Sequence, residues 1–114
     1  MKPLNENFTF STCETYTSLI YMAGDISTAK NYLAKRAANE GNCWSVEPTE
    51  FIYSGGREHG FVIRYINYPR IPWGKEKIKD AASKLALELI HELGQGSCSI
   101  VFTDETIYIS RRKE

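Results

Sequence analysis

A two-layer α+β fold, a mostly antiparallel sheet of five to six strands packed against two helices, is predicted by three observations. Residues 26–40 and 75–93 carry apolar side chains at helical spacing. The short runs around them are rich in β-branched and aromatic residues, as strands are. Each helical segment has one apolar stripe to bury, and one sheet can cover both from a single side.

Residues 1 to about 11 read as a lead-in, with a short strand expected at Phe8-Thr-Phe10. Tyr16 to Ala23 is a strand by composition, and Gly24-Asp25 ends it. Asp25 or Ser27 supplies an oxygen to cap the first helix. Ile26, Ala29, Leu33 and Ala37 form its stripe, and Gly41 suits the left-handed position after it. Cys43–Val46 and Glu50–Tyr53 are two further strands, with Pro48 breaking the run because it cannot donate to a ladder. Gly55-Gly56 turns the chain through a longish loop into a strand from Phe61 to Asn67. Pro69 and Pro72 stiffen the connector that follows. The second helix, Lys75 to about Leu93, has its stripe at Ile78, Ala82, Leu85, Leu89 and Leu93, and Gly94 and Gly96 stop it. A hairpin of Cys98–Phe102 and Thr106–Ile109 closes the chain.

With 114 residues, a single domain over 1–114 is expected, with 1–12 as a loose lead-in and 110–114 as a tail. Fourteen basic and fourteen acidic residues cancel, which argues against a partner as anionic as duplex nucleic acid. No run of about 18 apolar residues spans a membrane. The first residues lack the apolar stretch of a signal peptide, so a cytoplasmic setting is expected. Cys13, Cys43 and Cys98 are far apart and show no C-x-x-C spacing, so each reads as a small buried apolar residue. No metal and no cofactor is expected.

Catalytic signatures are sparse. No nucleophile elbow, phosphate loop or zinc helix occurs. His91 reads as a helix-flank residue and His59 as a turn residue beside Glu58. Glu47 and Glu50 flank a proline, and Asp104-Glu105 sits in a turn, where acids bond the local backbone.

Binding features are denser. Backbone amides at Gly55 and Gly56 could cup an anion, with Arg57 at the tip of that turn. Arg64 lies within a strand on the face of Val62 and Ile66, for an acidic partner or a ligand. In Asn67-Tyr68-Pro-Arg70-Ile-Pro72, Arg70 is mounted between two prolines, which suits bidentate contact with phosphate or carboxylate. Tyr68 and Trp73 flank that connector and suit stacking on a base. Tyr53 and Tyr65 could stack or pack. Arg111, in a basic run with Arg112 and Lys113, either belongs to a tail or closes a site. The expected ligand-binding set is Gly55, Gly56, Arg57, Asn67, Tyr68, Arg70, Trp73 and Arg111.

Three segments, Ala23-Gly-Asp-Ile-Ser-Thr-Ala-Lys30, Phe51-Ile-Tyr-Ser-Gly-Gly56 and Ile66-Asn-Tyr-Pro-Arg-Ile-Pro72, are similar in order and spacing to a group of small bacteriophage proteins. That group is the anti-Thoeris nucleotide sponges, and the resemblance spans roughly residues 16–110. It implies an oligomeric, non-catalytic protein that sequesters a cyclic ADP-ribose isomer in pockets near subunit interfaces.

The expected function is therefore non-catalytic: a phage anti-defence protein binding a small anionic nucleotide in the host cytoplasm. A homo-oligomer is expected, because a chain this short has little room for a deep pocket alone. Two alternatives use the same residues. One is a protein-directed inhibitor of the anti-CRISPR kind, since Tyr, Trp and Arg also dominate protein hot spots. The other is an enzyme cleaving a nucleotide with His59 and Glu58.

Overall fold

The computed structural model describes residues 7–40, 42–70 and 72–111. It contains β1 (Thr17–Ala23), α1 (Ile26–Glu40), β2 (Ser45–Tyr53), β3 (Gly56–Ile66), α2 (Lys75–Leu93), β4 (Ser97–Phe102) and β5 (Thr106–Ser110). The five strands form one sheet in the order β2-β3-β1-β4-β5, and every neighbouring pair is antiparallel. The predicted α+β class is the observed one.

This order follows from two crossovers. α1 carries the chain from β1 past the place of β3 to β2, and α2 carries it from β3 past β1 to β4. It is the split β-α-β arrangement of ferredoxin-like folds, with β5 added as a hairpin. Both helices pack on one face. Ile20 and Met22 of β1, Phe61, Ile63 and Tyr65 of β3, and Cys98, Ile100 and Phe102 of β4 point to them. Ala29 and Leu33 of α1, and Ile78, Ala82, Leu85, Ala86, Leu89 and Ile90 of α2, complete this core.

Local chemistry sets the helix ends. Asp25 caps α1: its Oδ2 accepts the backbone N–H of Thr28 at 2.9 Å and the Thr28 hydroxyl at 2.7 Å. Gly94 closes α2 in the left-handed conformation, φ 65°, and its N–H returns to the carbonyls of Ile90 and His91. Tyr32 and Arg36 of α1 both bond the carboxylate of Glu88 on α2 and tie the helices together.

Three expectations are corrected. Residues 8–10 form no strand. β2 runs unbroken through Pro48, because β2 is an edge strand and the missing N–H costs it no ladder bond where the edge faces outward. β3 begins at Gly56 rather than Phe61, so the turn at Ser54-Gly55 is tight; Gly55 has φ 90°, which glycine adopts readily. β1 pairs only Gly60 to Ile66 of β3, so residues 50–59 project beyond the sheet as a two-stranded arm. Gly41, Arg112 and Lys113 lie outside the described residues.

Candidate functional site

A cavity of about 180 Å³ opens where the end of β3, the proline connector and the start of α2 meet the loop after α1. Tyr65, Ile66, Tyr68, Arg70 and Trp73 line one side, and Asn42 and Cys43 line the other. A second groove of about 310 Å³ adjoins it, shares Asn42 and Cys43, and runs between α1 and β2 past Leu33, Trp44 and Val46.

Aromatic rings build the wall. Trp44 meets Tyr65 edge-on with centroids 6.0 Å apart, and Tyr65 meets Trp73 at 6.3 Å with the planes tilted by 41°. Strand alternation turns Tyr65 towards the helices, and burial of its ring holds the wall in place. The Lys77 ammonium sits over the Trp73 ring, 4.3 Å from its centroid. Tyr68 and Cys43 meet across the mouth, 3.8 Å from hydroxyl to thiol, and this contact together with burial raises the Tyr68 phenol above its usual value. Arg70 and Lys77 give the rim a positive bias, and among the described residues no carboxylate lines the cavity.

Asn67 holds the connector in shape. Its side chain is buried; Nδ2 donates to the carbonyl of Glu14 at 2.9 Å, and Oδ1 accepts the N–H of Trp73 at 2.8 Å and of Gly74 at 3.2 Å. Gly74 has φ 80°, which lets the chain swing from the connector into α2. The sequence signal for Asn67 is thus a structural one: every polar group of its amide serves the fold, and it positions Trp73 from behind.

Of the residues singled out in the sequence, Tyr68, Arg70 and Trp73 converge on the cavity. Gly55, Gly56 and Arg57 lie at the opposite end of β3, about 30 Å of strand away. There Arg57 faces Glu50 across the hairpin at 3.8 Å. Arg111 leaves the tail to bond the carbonyl of Ile90 at 2.9 Å, near the C-terminus of α2. Arg64 is exposed on the sheet face that carries no helix, in register with Leu19 and Ser45. His59 and Glu58 are exposed on the arm. Sequence reasoning missed Asn42, Cys43 and Trp44: their loop is ordinary in composition, and only the crossover of α1 brings it beside Tyr65.

Among the described residues, no group of three or more His, Cys, Asp and Glu side chains could hold a metal ion, and no helix is long and apolar enough to cross a membrane.

No protein-family model matches the chain, and no curated protein sequence matches it. Two solved structures share its fold. One is a phage SAM lyase in the apo state, with 16% identity, a TM-score of 0.69, and coverage of 87% of this chain and 91% of that one. The other is a phage SAM lyase in complex with S-methyl-5'-thioadenosine, with 15% identity, a TM-score of 0.68, and coverage of 90% and 94%. Neither is named as a nucleotide sponge. The expectation that the chain is not an enzyme is corrected by this finding, since these neighbours are enzymes by name.

Proposed function

We propose that this chain is an anti-defence enzyme of phage type that binds SAM and cleaves it to methylthioadenosine in the host cytoplasm. The observation that supports this reading is a shared fold over nine-tenths of the chain with phage SAM lyases, one of them in complex with S-methyl-5'-thioadenosine.

The cavity has parts that suit such a ligand. Tyr65, Tyr68 and Trp73 offer ring faces to an adenine or to the positively charged sulfonium. Arg70, on its stiff connector, would take the amino-acid carboxylate. The cavity alone is smaller than a typical ligand pocket, and the adjoining groove past Trp44 gives the rest of the molecule a place to lie. The chemistry asks little of acid or base groups. When the bond from sulfur to the amino-acid side chain breaks, its electron pair returns to sulfur, and a neutral thioether leaves without needing a proton. A lyase uses no water, so the carbon left behind must be satisfied from within the amino-acid fragment, by its carboxylate or by loss of a neighbouring proton. A site that orients the fragment and surrounds the sulfonium with aromatic rings supplies what that step needs.

The test is to incubate the purified protein with SAM and follow methylthioadenosine by mass spectrometry. Arg70→Ala should lower turnover or affinity by roughly 10- to 100-fold, the loss of one charge-assisted contact. Absence of product, together with no binding of SAM or methylthioadenosine by calorimetry, would overturn the reading.

A further inference from the structure

We infer that the groove between α1 and β2 is the nucleoside half of the site, so that SAM lies lengthwise with its purine in the groove and its amino-acid end in the cavity; this division rests on the proposed reading of the cavity as a SAM site. The order of groups in the protein matches the order of groups along the ligand. Arg70 lies in the cavity with Tyr65, Tyr68 and Trp73. A carboxylate held by Arg70 leaves the sulfonium, a few bonds further on, among those rings, whose faces favour a cation. Asn42 and Cys43 line both spaces, so the two join there. The ribose falls at that junction, beside the polar side chain of Asn42, and the purine passes into the groove.

The groove suits a purine in shape, size and chemistry. Lys30, Leu33, Ala34 and Ala37 share one face of α1, and Trp44 and Val46 meet them from the start of β2. From Lys30 to Ala37 the helix rises about 10 Å, the scale of a nucleoside. The two alanines leave room for a flat ring between helix and strand. At about 310 Å³ the groove is larger than the cavity of about 180 Å³, and the nucleoside is the larger half of SAM. The ring N–H of Trp44 is buried and has no acceptor among the described residues. A buried donor left unpaired is costly, and the groove that Trp44 lines is where an acceptor can enter. A purine edge is dense in acceptor nitrogens. Lys30 brings a further donor at the far end, and among the described residues no carboxylate lines the groove to draw the sulfonium there instead. Methylthioadenosine, which lacks the amino-acid end, is then held by the groove, and Arg70 serves only a ligand that carries the carboxylate.

The test is calorimetry with two thioethers, with far-UV circular dichroism as the check on folding. Methylthioadenosine carries the nucleoside alone, and S-adenosylhomocysteine carries both ends without the sulfonium charge. Ala34→Phe fills the groove from an exposed position of α1 and should weaken both probes by about 10-fold or more. Trp44→Phe keeps an aromatic ring but removes the donor, and should weaken both by roughly 5-fold. Arg70→Ala should weaken S-adenosylhomocysteine by roughly 10- to 100-fold and methylthioadenosine by less than about 2-fold. A folded Ala34→Phe chain that binds methylthioadenosine as the wild type does would overturn the division of the site. So would an Arg70→Ala chain that loses both probes equally. A wild-type chain that shows this variant pattern but leaves SAM uncleaved would support the groove and overturn only the lyase reading. Failure of the wild type to bind either probe would overturn both.

Discussion

The side-chain oxygen of Asn67 accepts the backbone N–H of Trp73 at 2.8 Å, fixing the entry to α2 from the end of β3. The same amide reaches back to Glu14, so one buried residue joins the lead-in, the connector and the helix. Asn67→Ala would orphan these groups, and each buried unsatisfied donor or acceptor costs about 1–3 kcal/mol. Urea unfolding should show a loss of at least that size. Ligand affinity should fall with it, because Trp73 is no longer held. A change within ~0.5 kcal/mol, the ordinary spread for a surface substitution, would show that the bonds carry little.

Gly60 is buried where β3 passes beneath Phe51. A Cβ there would lie 2.3 Å from the carbonyl oxygen of Met22 and 2.5 Å from the Phe51 ring. The strand cannot move away without breaking its pairing with β1, so Gly60→Ala should cost ~3 kcal/mol or more. Gly55→Ala meets nothing within 4 Å but is forced to φ 90°, and should cost about 1–2 kcal/mol through the backbone alone. Equal midpoints in denaturant for the two variants would refute the contrast.

Acid should loosen the end of the sheet at the β4–β5 turn. There Lys75 bonds the Asp104 carboxylate and Tyr16 donates its hydroxyl to it, and together they hold the carboxyl at about 2, below its usual 3.8. A folded value below the unfolded one means that the stabilisation is present above pH ~4. It is lost as the pH falls through the folded value of about 2. Thermal melts across that window should show a drop in midpoint that Asp104→Asn largely removes. An Asp104→Asn profile as steep as the wild type would assign the acid lability to other groups.

The three cysteines should separate by reactivity. Burial pushes the Cys98 thiol up to about 11 and shields it from reagent. Cys13 is half-buried and donates to the Asn67 carbonyl at 3.2 Å. Cys43 is exposed at the mouth of the cavity. A maleimide at neutral pH should label Cys43 first, and Cys98 only on unfolding. Saturating methylthioadenosine should slow Cys43 labelling several-fold. Unchanged labelling with the ligand demonstrably bound would place its site elsewhere.

Much of the fold was legible without coordinates. The bounds of α1 and α2 follow from an apolar stripe with Asp25 at one start and Gly94 at one end, both local signals. Strand positions followed from composition, and the errors came where local rules meet the sheet edge, as at Pro48. The site was legible only in part. Tyr68, Arg70 and Trp73 lie on one stiff connector, so closeness in sequence guaranteed closeness in space. Gly55, Gly56 and Arg57 are near in sequence too, but a strand lies between them and the connector, and a strand is straight. Arg111 reads from sequence as part of a tail or of a site, because nothing in its neighbours reveals the carbonyl of Ile90.

Burial periodicity is a local property of the chain, so both helices, their apolar stripes and the middle of each strand are readable from the sequence alone. Tertiary structure alone decided the order β2-β3-β1-β4-β5, which depends on pairings far apart in sequence. That order separates the arm from the connector, carries the Asn42–Trp44 loop to Tyr65, and leaves one sheet face outside both helices.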